Sequence, residues 1–212
     1  MNVQMFTVGS LLTNCYIVNC EETKEAIIID PGFDDHIKAE KIFKHLNEEK
    51  LTPKFIVNTH GHPDHTCGNS ILKEKFHIPI LIHEYDAHML GETGKKIAQF
   101  FGFHNFSPQA DKLLHDGDTV KIGNTLLKVI HTPGHSRGSI SLLGKKEIFT
   151  GDTLFMGSIG RVDFPESSER DMKNSLRKIA QLPENLTVYP GHGPTTTTIG
   201  EEKHANPFLQ WL

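Results

Sequence analysis

Four short segments of the chain gather the residue types that bind metal ions without thiolates. They are His60-Gly-His-Pro-Asp-His65, Thr132-Pro-Gly-His135, Gly151-Asp152-Thr153 and Tyr189-Pro-Gly-His192. His60 and His62 are two residues apart, so in extended backbone their imidazoles project to the same side. Pro63 then starts a turn that brings Asp64 and His65 round to a second position. Two imidazoles for one ion and a carboxylate plus an imidazole for a neighbouring ion is a workable division. His135 and His192 add one imidazole each, and Asp152 has two oxygens with which to bridge. Imidazole and carboxylate donors suit zinc, iron or manganese.

These segments need elements that bring them together, and each follows an expected strand within a few residues. Cys15–Val18 and Ala26–Asp30 read as two strands of a hairpin, ended by Asp30-Pro-Gly32. Residues 35–49 place Ile37, Ile42, Phe43 and Leu46 among charges, which predicts an amphipathic helix. Lys54–Val57 is a strand running into the first histidine segment. Residues 69–76 read as a helix. Ile78–Ile82 reads as a strand whose Pro79 marks an edge or a start. Residues 84–110 are the least regular, with a helical piece over 87–101 weakened by Gly91 and Gly94. Thr119–Ile122 and Leu126–Ile130 form a hairpin around Gly123-Asn124. Strands follow at 139–143 and 147–150, then a helix over 168–182 capped by Ser167 or Ser168. Leu186–Tyr189 is the last clear strand, and a short polar helix is expected near Glu201. Glycine or proline at each histidine segment lets the backbone turn there, and loops at strand ends are common places for ligand sites.

The 212 residues, 37% hydrophobic and 23% charged, suit one globular domain spanning 1–212. No apolar run is long enough to cross a bilayer, and no secretory signal is visible. A net charge of −4 argues against nucleic acid or an anionic membrane as the partner. Cys15, Cys20 and Cys67 form no C-x-x-C pair; with no secretory signal they suit a reducing cytoplasm, and Cys15 and Cys67 read as packing residues. The 14 histidines are the unusual feature.

The ordered set H-x-H-x-D-H, T-P-G-H, G-D-T-L-F and Y-P-G-H resembles the metallo-β-lactamase superfamily, in its glyoxalase II-like branch, over residues 7 to about 208. The resemblance implies an α+β fold, an αββα four-layer sandwich of two mainly antiparallel sheets with helices outside and metals at one edge. It implies one site from His60, His62 and His135, a second from Asp64, His65 and His192, and Asp152 as the bridge. Two divalent ions, zinc first and iron or manganese as alternatives, would share a hydroxide that attacks a thioester such as S-D-lactoylglutathione. Asp64 would have the catalytic role of orienting that hydroxide. A thiol of pKa about 8.5 leaves readily without a strong general acid. The family also places a basic residue near the anionic end of the thiol substrate, which makes Arg161 of Gly160-Arg-Val-Asp-Phe164 a substrate-binding candidate.

The resemblance leaves other readings open. A persulfide dioxygenase with one iron shares H-x-H-x-D-H, T-P-G-H and the G-R-x-D-F stretch; His192 after Y-P-G favours a complete second site instead. Lactone or β-lactam hydrolysis is a third reading, lowered because Asp152 stands where zinc β-lactamases often have cysteine. RNA processing lacks a basic patch, and a non-catalytic metal-binding protein has no positive support. Full-length glyoxalase II carries a C-terminal helical extension that holds glutathione; it is not expected here, and the oligomeric state is left open. Of the other histidines, His131 is a candidate supporting residue and His83 and His88 read as surface or supporting. His36, His45, His77, His104, His115 and His204 read as solvated. Asp30 of Asp30-Pro-Gly32 reads as a turn residue, which the resemblance places near the metal site in a structural role and not as a ligand, and Asp163 reads as a partner for a neighbour.

Overall fold

The computed structural model describes residues 1–210. Its first half builds one sheet from β1 (Asn2–Val8), β2 (Thr13–Asn19), β3 (Glu25–Ile29), β4 (Thr52–Val57), β5 (Ile80–His83) and β6 (Lys112–Leu114), in that spatial order. The second half builds another from β7 (Thr119–Ile122), β8 (Thr125–His131), β9 (Ile140–Leu143), β10 (Glu147–Gly151), β13 (Thr187–Pro190) and β14 (Thr197–Thr198), with β11 (Leu154–Phe155) and β12 (Ser158–Ile159) forming a small hairpin apart. Helices α1 (His36–Glu48), α2 (Pro63–Thr66), α3 (Asn69–Phe76) and α4 (Gly91–Phe100) accompany the first sheet, and α5 (Glu169–Ala180), α6 (Ile199–Ala205) and α7 (Pro207–Gln210) the second.

The αββα arrangement follows from which side chains are apolar. Every residue of β2 is buried, and period two splits its neighbours between two cores. Tyr16, Val18, Ile27, Ile29 and Val57 face Val129, Ile140, Leu142 and Phe149 across the gap between the sheets. Ile17, Ile28 and Ile56 turn the other way onto Ala39, Ile42 and Leu46 of α1 and Leu72 of α3. A third core sets Ile148 and Val188 against Met172, Leu176 and Ile179 of α5. The fold expectation therefore holds, with one correction: both sheets are mixed, the second through its parallel β10–β13 pair and the first more extensively. Pairs β3–β4, β4–β5 and β5–β6 run parallel, because helices or irregular crossovers, not tight turns, join these strands.

Most expected elements appear close to their expected bounds, with Asp35 capping α1 and Ser168 capping α5 through side-chain oxygens. Beyond the short elements β11, β12 and α7, which the sequence does not announce, these details differ. Strand β1 was not anticipated; it pairs along all of β2 with mostly exposed or half-buried residues, so it lacks a clear alternating pattern. Pro79 lies just before β5, which is an interior strand between β4 and β6, so it marks a start and not an edge. Ile37 is exposed, and Ala39 occupies the core face of α1 in its place. The helical piece at 87–101 is broken at Gly91 (φ +66°) into a short 3₁₀ turn, Ala87–Met89, and α4. No helix among the described residues is long and apolar enough to cross a membrane.

Candidate metal centre

All four histidine and aspartate segments meet at one end of the sandwich. His60 stands three residues beyond β4, His135 four beyond β8, Asp152 one beyond β10 and His192 two beyond β13. One sheet thus supplies the first segment and the other sheet the remaining three. The turn expected after Pro63 is the short helix α2, with His62 at its N-cap, Pro63 at its first position and Asp64 and His65 projecting from its single turn.

The ligand-type atoms fall into three overlapping groups, each with its atoms within 4.8 Å of one another: His60, His62 and His135; Asp64, His65 and His192; and His60, His65 and Asp152. His62 Nδ1 lies 2.8 Å from His135 Nε2, and His65 Nε2 lies 3.2 Å from His192 Nε2. Asp152 faces both groups: Oδ1 is 3.4 Å from His65 Nε2, and Oδ2 is 3.5 Å from His135 Nε2 and 3.6 Å from His192 Nε2. Asp64 Oδ2 is 3.3 Å from His192 Nε2. Such spacings are those of neighbouring donors each about 2.0–2.2 Å from one ion.

Two further observations fit a metal. His60 Nε2 and Asp152 Oδ1 are buried with no hydrogen-bond partner among the described residues, although buried polar atoms are ordinarily satisfied. The remaining ring nitrogens are fixed from behind. His135 Nδ1 pairs with the Arg161 carbonyl at 2.9 Å and His192 Nδ1 with the Leu11 carbonyl at 3.1 Å, which turns each Nε2 lone pair inward.

The electrostatics differ between the two groups. Burial, reinforced by neighbouring imidazoles, pushes His60 well down and His62 down to about 3, so both are neutral donors. Burial works against the charge on His65 too, but Asp152, Asp64 and Asp30 outweigh it and raise its pKa to about 10. His192 is raised despite burial by Asp64 and Asp152. Asp64, also opposed by burial, is held below the usual carboxylate range by His65 and His192. The second group is thus a buried nest of carboxylates that calls for positive charge, met by a proton on His65 or by a cation.

Several contributors were not legible in the sequence. Asp30, read as a turn residue, accepts from Thr59 N at 2.7 Å and Thr59 Oγ1 at 2.6 Å, and its Oδ2 lies 3.0 Å from His65 Nδ1. The signals for it were its place at a strand end before Pro-Gly and the resemblance that puts this turn near the metals; its partners His65 and Thr59 were not foreseen. Asn14 and Tyr16 of β2 hold the Pro190 carbonyl, and Thr13 bridges to His192, so the start of β2 clips the last ligand loop. Phe164 stands edge-on to His62 at 5.3 Å and Phe155 edge-on to His192 at 6.1 Å, giving the site apolar walls.

Among the candidates outside the metal set, Arg161 is exposed. Its guanidinium pairs through two bonds of 2.8 Å with Asp163 and lies over the Phe164 ring at 4.2 Å. Asp163 therefore has the neighbouring partner expected of it. His83 is buried and stacked face to face on His131, 4.2 Å between centroids, and burial followed by His131 pushes its pKa down to about 4. His131 braces the His135 loop through the Arg137 carbonyl at 2.9 Å. His88 is exposed. His45, expected in solvent, instead packs edge-on to Phe6; the other five histidines read as solvated are exposed. Cys15 and Cys67 are fully buried packing residues.

Residues 8–192 match the family described as the Metallo-beta-lactamase superfamily. The chain is 35% identical over 218 residues to the hydroxyacylglutathione hydrolase GloC of Haemophilus influenzae, covering 99% of this chain and 98% of that protein. It is similar to the crystal structure of the BLEG-1 B3 metallo-beta-lactamase, with TM-score 0.88, 36% identity and coverage of 98% and 99% of the two chains. It is also similar to the structure of TTHA1623 in a di-iron-bound form, with TM-score 0.85, 33% identity and coverage of 97% and 100%.

Proposed function

Because this chain belongs to the metallo-beta-lactamase superfamily, we propose that it is a binuclear metal-dependent hydrolase of thioesters, with S-D-lactoylglutathione or a related acyl-thiol as substrate. The observation that carries the binuclear part is Asp152, whose carboxylate lies between the two donor groups, with Oδ1 toward His65 and Oδ2 toward both His135 and His192. The thioester part is supported by the named activity of the GloC relative. His60, His62 and His135 would hold one ion, Asp64, His65 and His192 the other, and Asp152 both. Zinc is the first choice for such donors, with iron, as in the TTHA1623 structure, or manganese as alternatives.

Two divalent ions here would supply a water of lowered pKa and positive charge for a developing oxyanion. The chain's own residues do the rest. The mostly buried Asp64 carboxylate stands beside His192 and Thr13, where one of its oxygens would accept a hydrogen bond from the attacking water and orient it. Phe155 and Phe164 wall the site with apolar surface that suits an acyl chain and limits water around the reacting carbon. A thiolate leaves without a strong acid, which fits a site of imidazoles and carboxylates. Arg161, loosely held on the surface by Asp163, is the group to meet a substrate carboxylate. A small-molecule thioester is then the partner, not nucleic acid or membrane, and three free buried cysteines suit a cytoplasmic home.

Elemental analysis of the purified protein, joined to thioester turnover without oxygen, tests this. The expected result is two metals per chain and oxygen-independent hydrolysis. One iron per chain, with oxygen uptake on a persulfide and no hydrolysis, would overturn it in favour of a dioxygenase. Faster opening of a lactone or β-lactam than of any thioester would overturn the substrate class.

A further inference from the structure

Asp86 lies in the turn after β5, within the least regular part of the sequence, and is fully buried. Its Oδ2 accepts from Gly61 N at 2.9 Å and from Ser136 Oγ at 2.6 Å, and its Oδ1 accepts from Gly138 N at 2.6 Å. Gly61 stands between His60 and His62, and Ser136 follows His135. One carboxylate therefore ties together the two loops that carry every histidine of the first donor group. The second group has a different brace, Asp30 against His65.

The two loops approach this turn as closely as glycine permits. A Cβ on Gly61 would lie 2.7 Å from Met89 Cβ, and one on Gly138 would lie 2.6 Å from Asp86 Oδ1 and 2.6 Å from Asp86 N. An ionised carboxylate accepts only, so it can take three donors at once. An asparagine would turn its NH₂ toward one of those donors and leave a buried donor unpaired.

We infer that Asp86 is a positioning residue for the first metal position alone, acting through Gly61 and Ser136–Gly138 on His60, His62 and His135. The inference rests on the binuclear reading above. Its consequence is that the two positions are set by separate carboxylate braces and can be weakened independently.

The test is metal binding, not turnover. Zinc stoichiometry across graded zinc buffers, together with the absorption bands of the cobalt-loaded protein, is compared for the wild type and Asp86→Asn. One equivalent is expected to weaken about 10–100-fold, the usual effect of losing a partner behind the ligands, while the other is unchanged. In a His62→Ala background Asp86→Asn should leave the remaining equivalent alone; in a His192→Ala background it should weaken the one that remains. Equal weakening of both equivalents, or of neither, overturns the inference. Should Asp86→Asn fail to fold, Ser136→Ala removes one of the three ties without adding bulk, and must show a smaller loss at the same equivalent. If the wild type holds fewer than two metals, the binuclear reading falls. Asp86 is then judged by whether its variant loses the metal that His62→Ala loses.

Discussion

His65 Nδ1 and Asp30 Oδ2 stand 3.0 Å apart, and both side chains are sealed from solvent. Thr59 donates twice to the same carboxylate. The imidazole is thereby turned so that Nε2 faces Asp64, Asp152 and His192. A residue at the end of β3 thus sets the aim of a donor on α2.

Asp30→Asn should weaken the second metal position by about 10–100-fold, because the amide offers no negative charge to the ring nitrogen and exchanges one acceptor for a donor. Metal titration checks this. Unchanged affinity at both positions would remove Asp30 from the site.

His62→Ala and Asp152→Ala differ in reach. His62 belongs to the first group only, whereas Asp152 faces both, His135 on one side and His65 and His192 on the other. The first variant should lose one metal and the second should weaken both, and each should lose most of the hydrolysis. An Asp152→Ala protein that keeps two metals and its activity would sink the bridging assignment.

Arg161→Ala should raise KM for an anionic thioester more than for a neutral one. The structure adds the reverse experiment, since Asp163 occupies the guanidinium. Asp163→Asn should lower KM for the anionic substrate by about two- to fivefold, the scale of an exposed ion pair, and leave the neutral one alone. Equal effects on both substrates would take this pair out of the binding surface.

The metal-free protein should be most stable near neutral pH. His65 has its pKa raised to about 10, with burial opposing and Asp152, Asp64 and Asp30 prevailing. Its contribution is full below the unfolded value of about 6.5 and is lost as pH rises toward the folded value. His62 is pushed down to about 3 by burial and then by His135, so its contribution is present above about pH 6.5 and is lost as pH falls through the folded value. A bound cation takes the place of the His65 proton, so zinc loading should flatten the alkaline decline. Melting temperatures of chelated and zinc-loaded protein across pH measure this; a chelated protein that grows more stable from about pH 7 to 10 would contradict it.

The four histidine and aspartate segments were legible in the chain because each is local. A donor, a glycine or proline and a preceding apolar strand lie within a few residues of one another, and strand periodicity is a short-range signal. Helices α1 and α5 were legible for the same reason, α1 through its spaced apolar residues and α5 through the serine that caps it. Ile37 misled because an apolar residue at helical spacing still faces solvent when no neighbouring layer reaches it. His45 misled because partial burial of a single polar side chain has no periodic signature. The braces Asp30 and Asp86 are isolated carboxylates whose partners lie up to 52 residues away. Their roles exist only once β3, β4, β5 and β8 have placed the loops side by side. Sequence determined which donors this protein has and that they sit at strand ends. Tertiary structure decided how loops from two sheets bring those donors within reach of one another, and which buried carboxylate holds each group in place.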